Sequence, residues 1–231
     1  MGTMISVEAL DHSGRFDVYR ALPDGEPKAA VVVVQEIFGI NPGIRAKVDS
    51  WAAKGYAAYA LDLFWRDTPG IQFDPDIPEQ MQEAFGFYQR FDRDKGVADI
   101  EATIKAARAE TGKKVGVTGY CLGGLMTFLS AARTDSDASV AYYGGGIDGF
   151  LNESHGVARP LLMHFAEQDH FIPAEAIAKI KETFQDNSRV EIHIYPGVDH
   201  GFATETGKRR DDAAATLADS RTEAFFGKNL A

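Results

Sequence analysis

Residues 119–124 read Gly119-Tyr120-Cys121-Leu122-Gly123-Gly124. An apolar run, Lys114-Val115-Gly116-Val117-Thr118, precedes them, and Leu125-Met126-Thr127-Phe128-Leu129, with helical spacing, follows. A strand therefore meets a helix with only a tight turn between them, and Cys121 sits at its apex. The pattern is Gly-x-nucleophile-x-Gly, with Cys where Ser is usual. The apex backbone is strained, and a Cβ at either flanking position would collide with the neighbouring strand or helix. A thiol at the start of a helix also feels the positive end of the helix dipole, which favours the thiolate.

Outward from this turn, strand-like and helix-like segments alternate. Ala29 to Val34 is a continuous apolar strand, as expected where a parallel sheet is buried on both faces. Pro42 to Lys54 reads as a helix with Pro42 in its first turn and Gly55 as a stop. Tyr56 to Leu61 is the next strand. Asp94 to Thr111 is an amphipathic helix carrying Val97, Ile100, Ile104 and Ala107 on one stripe, with Asp94 as its cap and Gly112 as its end. Ala138 to Tyr143, Leu161 to Phe165 and Val190 to Tyr195 are further strands, and Ala174 to Phe184 is a helix. Asp211 to Phe226 closes the chain as a helix with Leu217, Ala218, Ala224 and Phe225 inward. This βαβα order predicts an α/β fold, a mostly parallel central sheet with helices on both faces. No repeat or linker interrupts it, so one domain over 1–231 is expected. Asp67 to Pro78, with three prolines and a glycine, is the least regular stretch and a candidate rim or lid.

The 231 residues are 45% apolar and 25% charged, an ordinary globular composition. A net charge of −10 argues against a nucleic-acid partner. No apolar run approaches a membrane span and no signal peptide is visible, so a cytoplasmic location is expected. One cysteine leaves no intramolecular disulfide and no cysteine-built metal site; neither a metal nor a cofactor is expected. A monomer is the expected state, with a dimer as the alternative.

A thiol nucleophile needs a base to hold its proton and a carboxylate to orient that base. Of six histidines, His12 precedes the core strands and His155 precedes every acid candidate. His164 and His193 lie inside strands and read as packed or surface residues, and His170 adjoins an acid candidate. His200 is late in the chain, on a glycine-flanked loop past the last strand, and is the expected base. The acid should follow Leu161 to Phe165, where Asp169 is preferred over Glu167. Asp199 reads as a solvated loop residue. The oxyanion donors should be the backbone N–H groups of Leu122 and of Ile37, in the loop after the first core strand. Glu36, at the end of a buried strand beside a thiolate, is unexpected; a solvated loop charge is the alternative.

These residues carry a family resemblance. Gln35-Glu36-Ile37-Phe38-Gly39, the Cys121 hexapeptide, Tyr142-Tyr143-Gly144, Gln168-Asp169-His170-Phe171-Ile172-Pro173 and His200-Gly201-Phe202-Ala203 together resemble the dienelactone hydrolases (carboxymethylenebutenolidases). That family is the cysteine branch of the α/β-hydrolases. The resemblance implies an α/β-hydrolase fold and a Cys121–His200–Asp169 triad. It implies metal-free opening of an enol-lactone or activated ester through an acyl-thiolate, in the breakdown of aromatic compounds. It also makes Glu36 a switch carboxylate that holds the resting thiol until substrate displaces it.

The chain departs from the family at two positions. Dienelactone-cleaving members anchor the substrate carboxylate with two arginines, whose places fall here on Met81 and near Thr204. With Phe38, Phe85 and Tyr88 these predict an apolar, aromatic-lined pocket and a substrate other than the anionic lactone. Lys208, Arg209, Arg210 and Arg66 could compensate but read as a solvated face. Alternative readings are a broad aryl-esterase or thioesterase, and a non-catalytic protein of the same fold that binds a small ligand. A thiol redox sensor would lack a resolving cysteine.

Overall fold

The structure, a computed structural model, describes residues 2–231. Its elements in chain order are β1 (Thr3–Glu8), β2 (Arg15–Ala21), β3 (Ala30–Val34), α1 (Pro42–Ala53), β4 (Ala57–Leu61), α2 (Pro78–Arg90) and α3 (Arg93–Thr111). There follow β5 (Val115–Tyr120), α4 (Leu122–Arg133), β6 (Ala138–Tyr142) and a 3₁₀ segment (Ile147–Gly156). The chain ends with β7 (Leu161–Ala166), α5 (Ala174–Phe184), β8 (Val190–Tyr195) and α6 (Asp212–Asn229).

The strands form one sheet in the order β1-β2-β4-β3-β5-β6-β7-β8. β1 and β2 pair antiparallel, and β2 is antiparallel to β4. Every other pairing is parallel. The expected α/β-hydrolase-like architecture is therefore present. Every residue of β3, β4, β5, β6 and β7 is buried. Helices on both faces remove these strands from water, which is why they read as unbroken apolar runs. β8 lies at the sheet edge and is only partly covered.

Two readings of the sequence, the cap of α3 and the inward face of α6, need correction, and β1, β2 and α2 lie outside the elements it predicts. β1 and β2 have half-polar alternation, since one face is solvated, and the search for fully apolar strands passes over them. The cap of α3 is Asp92, whose side chain accepts from Lys95 N, while Asp94 instead pairs with Arg133 at 2.7 Å. In α6 the inward residues are Ala215, Ala218, Thr222, Phe225 and Phe226; Leu217 and Ala224 are exposed. The irregular stretch after Asp67 gives way at Pro78 to the four-turn helix α2, with Pro78 in its first turn.

The parallel strands bring the carboxyl ends of β3, β5, β7 and β8 to one edge of the sheet. Glu36, Cys121, Asp169 and His200 all lie just beyond those ends, where ligands bind in sheets of this kind. No helix among the described residues is long and apolar enough to cross a membrane.

Candidate active site

Cys121 is the residue between β5 and α4, with φ 56° and ψ −116°. For a residue with a Cβ this is a sparsely populated conformation, and its surroundings must impose it. Three glycines make that possible. A Cβ on Gly119 would stand 2.6 Å from Thr127 Oγ1 and closer still to Gly123 O. One on Gly123 would stand 2.6 Å from Gln35 O and closer to Val34 O. One on Gly124 would stand 2.9 Å from Gly144 Cα and closer to Tyr142 O. The turn is thus pressed against both neighbouring strands, and Cys121 N donates to Tyr142 O at 3.1 Å. The thiol ends half-buried at the helix N-terminus.

His200, 2% exposed, follows β8. Its Nδ1 lies 2.9 Å from Asp169 Oδ2 and 3.1 Å from Oδ1. Asp169 Oδ1 also accepts from Phe171 N at 2.9 Å and Ile172 N at 3.1 Å. A carboxylate that takes three donors is an acceptor only, so the imidazole Nδ1 carries the hydrogen. That leaves Nε2 as the basic atom. Nε2 is buried and has no hydrogen-bond partner among the described residues. The ring is held by Tyr143, centroids 5.0 Å apart, and by Phe171 edge-on at 4.9 Å. Burial pushes the imidazolium down, but the Cys121 thiolate and then the Asp169 carboxylate outweigh it, and the pKa is raised.

Glu36 follows β3 and is only 6% exposed, so it is not a solvated loop charge. No protein group hydrogen-bonds its side chain among the described residues. Burial raises its carboxyl above the ordinary value, while Arg209, His200 and Lys47 pull the other way by charge. It faces a cavity of about 350 Å³ together with Cys121 and His200. Ile37 and Leu122 line the same cavity. Neither of their N–H groups donates to a protein acceptor outside the helices, and a first-turn helix N–H has no partner within its helix.

The structure brings Phe38, Met81, Phe85 and Tyr88 into the cavity wall, as expected. Thr204 is not there. Its hydroxyl donates to Thr206 O at 2.8 Å, and it borders a separate small void behind Glu36 with Lys47 and Tyr120. The His200–Phe202 turn carries it around the back of Glu36. Glu167 is exposed and accepts from Gly197 N at 2.9 Å, away from His200. Asp199 accepts from His170 Nδ1 at 2.8 Å. His164 is buried between Thr222 Oγ1 and the Tyr195 hydroxyl, and burial keeps it neutral.

Three lining or supporting residues escape the sequence reading. Phe171 lies two residues after Asp169, where spacing gives it no role of its own. Tyr143 ends a predicted apolar strand, and no local pattern marks it as a support for His200. Arg209, read as solvated, is half-buried and lines the cavity. No local pattern distinguishes it from Lys208 or Arg210; only the course of the loop before α6 does. No group of three or more His, Cys, Asp or Glu suited to hold a metal occurs among the described residues.

Comparison with known proteins bears on this geometry. The model of the Dienelactone hydrolase family matches residues 16–230. A protein of Azospirillum brasilense is 42% identical over 232 residues, 99% of each chain. Carboxymethylenebutenolidase 1 of Cupriavidus pinatubonensis is 37% identical over 94% of this chain and 93% of its own. Carboxymethylenebutenolidase of Pseudomonas putida is 38% identical over 96% and 94%. Among solved structures, one from Klebsiella pneumoniae superposes with a TM-score of 0.81 at 26% identity, covering 98% of this chain and 99% of that one. The dienelactone hydrolase of Anabaena variabilis superposes with a TM-score of 0.75 at 17% identity, covering 100% and 99%, a likeness of fold.

Proposed function

The chain belongs to the dienelactone hydrolase family and is a carboxylic ester hydrolase, and on that premise we propose that it opens an enol-lactone or activated ester through a Cys121–His200–Asp169 triad. The observation that carries the proposal is the buried Asp169–His200 pair, at 2.9 Å, whose imidazole lines the same cavity as the strained Cys121.

His200 Nε2 takes the proton from Cys121 Sγ, and Asp169 steadies the imidazolium that forms. The thiolate attacks the carbonyl carbon, and the carbonyl π electrons move to oxygen. The N–H groups of Ile37 and Leu122 donate to that oxyanion. As the carbonyl re-forms, the C–O bond to the leaving group breaks and Nε2–H protonates the departing oxygen. An acyl-thioester remains. Water then attacks it with His200 as base, the thiolate leaves, and a carboxylic acid is released with the thiol restored.

A thiolate favours activated substrates for a physical reason. From the first tetrahedral intermediate a thiolate leaves more readily than an ordinary alkoxide, so simple alkyl esters revert. An enolate or phenolate leaves well and drives the step forward. Glu36, in the same cavity wall as Cys121 and without a hydrogen-bond partner for its side chain, is suited to accept a hydrogen bond from the S–H at rest, consistent with a switch role.

The test is to alkylate Cys121 with iodoacetamide, or replace it by Ala, and assay dienelactone and 4-nitrophenyl acetate. Loss of turnover on both is expected. Activity that survives in Cys121→Ala rejects the acyl-thiolate route.

A further inference from the structure

Tyr143 carries two costs at once. It follows β6 with φ 36°, in the left-handed region that a bulky residue rarely adopts. Its side chain is fully buried, yet its hydroxyl has no hydrogen-bond partner among the described residues. The first cost has a local cause. Tyr143 N donates to His164 O at 2.7 Å, and a Cβ on the next residue, Gly144, would stand 2.7 Å from Leu125 N. The chain must turn sharply there to clear the helix that follows Cys121. The orphaned hydroxyl has no such cause, and neighbouring tyrosines avoid it. Tyr142 donates to Asp219 Oδ1 at 2.9 Å, and the Tyr195 hydroxyl lies 2.9 Å from His164 Nδ1. A buried polar group left unpaired in this way calls for an explanation.

The turn sets the Tyr143 ring beside the base, with centroids 5.0 Å from His200 and 5.4 Å from Phe202. Burial holds the phenol well above its ordinary pKa, so it stays a donor. Among the charges that act on it, Glu36 comes first, ahead of Tyr120, Cys121 and Asp219. Glu36 is the complementary case. It is buried, and its carboxyl also lacks a hydrogen-bond partner among the described residues. Arg209, His200 and Lys47 attract it by charge, but none donates to it. Burial favours its neutral form, and once ionised it becomes a buried carboxylate in need of a donor. A hydroxyl without an acceptor thus lies in the field of a carboxyl without a donor.

We propose that Tyr143 is a positioning residue: its ring fixes the plane of His200, and its hydroxyl donates to the Glu36 carboxylate when Glu36 ionises. Glu36 then gives its proton to solvent in the cavity, while Tyr143 keeps its own and turns it toward the new charge. Arg209 and Lys47 attract that carboxylate through space without orienting it; the hydroxyl gives it a direction. Tyr143 thereby sets the pH at which Glu36 changes charge beside the thiol. The consequence for rate rests on the hydrolase reading above, whereas the bond between Tyr143 and Glu36 does not.

Tyr143→Phe tests it, because it keeps the ring against His200 and removes only the hydroxyl. The Glu36 carboxyl is titrated by carbon-13 NMR in protein labelled at the glutamate side-chain carboxyl, with Glu36→Gln identifying its signal. In Tyr143→Phe the Glu36 pKa should rise by about one to two units, the range of one hydrogen bond to a charged group. In urea unfolding Tyr143→Phe should match or exceed the wild type where Glu36 is neutral. It should lose ground as pH rises through the Glu36 titration, since its Glu36 holds the proton more tightly when folded. In the pH profile of kcat/KM on 4-nitrophenyl acetate, the limb that reports Glu36 should move by the same interval. In a Glu36→Gln background Tyr143→Phe should no longer move it. A Glu36 titration unmoved in Tyr143→Phe, or a pH-independent stability difference between the two proteins, overturns the proposal and leaves the triad standing. Cys121→Ala turning over the ester at the wild-type rate overturns the hydrolase reading and, with it, the consequence for rate; the Glu36 titration still decides the bond.

Discussion

Asp169→Asn isolates the orienting role of the carboxylate from its structural one. In the structure Oδ1 accepts from two backbone donors, Phe171 N at 2.9 Å and Ile172 N at 3.1 Å. An amide must keep its oxygen there, because an NH₂ group facing two N–H donors would leave three donors without an acceptor. The amide nitrogen is thereby directed to the Oδ2 position, 2.9 Å from His200 Nδ1. Two donors cannot face each other, so Nδ1 becomes the acceptor and the ring hydrogen moves to Nε2. That tautomer has no lone pair toward Cys121 and cannot take its proton. The same exchange in triads of this geometry costs about 10³- to 10⁴-fold, or ~4–5.5 kcal/mol of barrier. Stability should change little, since both backbone bonds persist. Asp169→Ala, by contrast, strands two backbone N–H groups and should cost about 1–3 kcal/mol of folding free energy as well. The assay is kcat/KM on 4-nitrophenyl acetate beside urea unfolding of both variants. Less than a tenfold loss in Asp169→Asn, or instability equal to that of Asp169→Ala, would refute the reasoning.

Three further outcomes are expected. Gly123→Ala should push the turn off β3, because its Cβ lands 2.6 Å from Gln35 O; a shift near 1 Å costs about 100-fold in rate, and turnover within threefold of wild type counts against the close-packed turn. Glu36 has its carboxyl raised by burial from 4.5, so the folded protein keeps a proton that the unfolded chain has released, and stability falls as pH rises through that interval. Glu36→Gln should then melt above the wild type at pH 8 and converge with it toward pH 4; a Tm gap that is flat with pH contradicts this. Lys47→Met takes the cation from Asp219 and leaves Glu205 with only Arg210 at 3.6 Å and should cost about 2 kcal/mol in urea unfolding, below the ~3–5 for a fully buried pair because both acids are partly exposed; a change under about 0.5 kcal/mol shows the ammonium to be dispensable.

The legible parts of this chain were those where one local constraint dominates. Val31 to Val34 admits only a strand buried on both faces, and the glycines about Cys121 admit only a turn that touches its neighbours. His200 stood out because it alone follows a late strand on a glycine-flanked loop. Where two constraints compete, reading fails. Asp92 and Asp94 are both able to cap α3, and only the chain's entry angle selects Asp92. Leu217 fits an inward stripe by spacing, yet it is 46% exposed because α6 turns its alanines toward the sheet and closes in tightly. Phe225 and Phe226 supply the bulk at the far end instead.

By itself the sequence determined the alternating architecture and the strained turn at Cys121, because strand burial, glycine sterics and turn chemistry act over a few residues. The tertiary structure alone decided what surrounds that thiol. It turned Thr204 away and brought Arg209 in, although the two are near neighbours in one loop. A loop residue's direction depends on what the whole chain packs against it, and no local pattern carries that information.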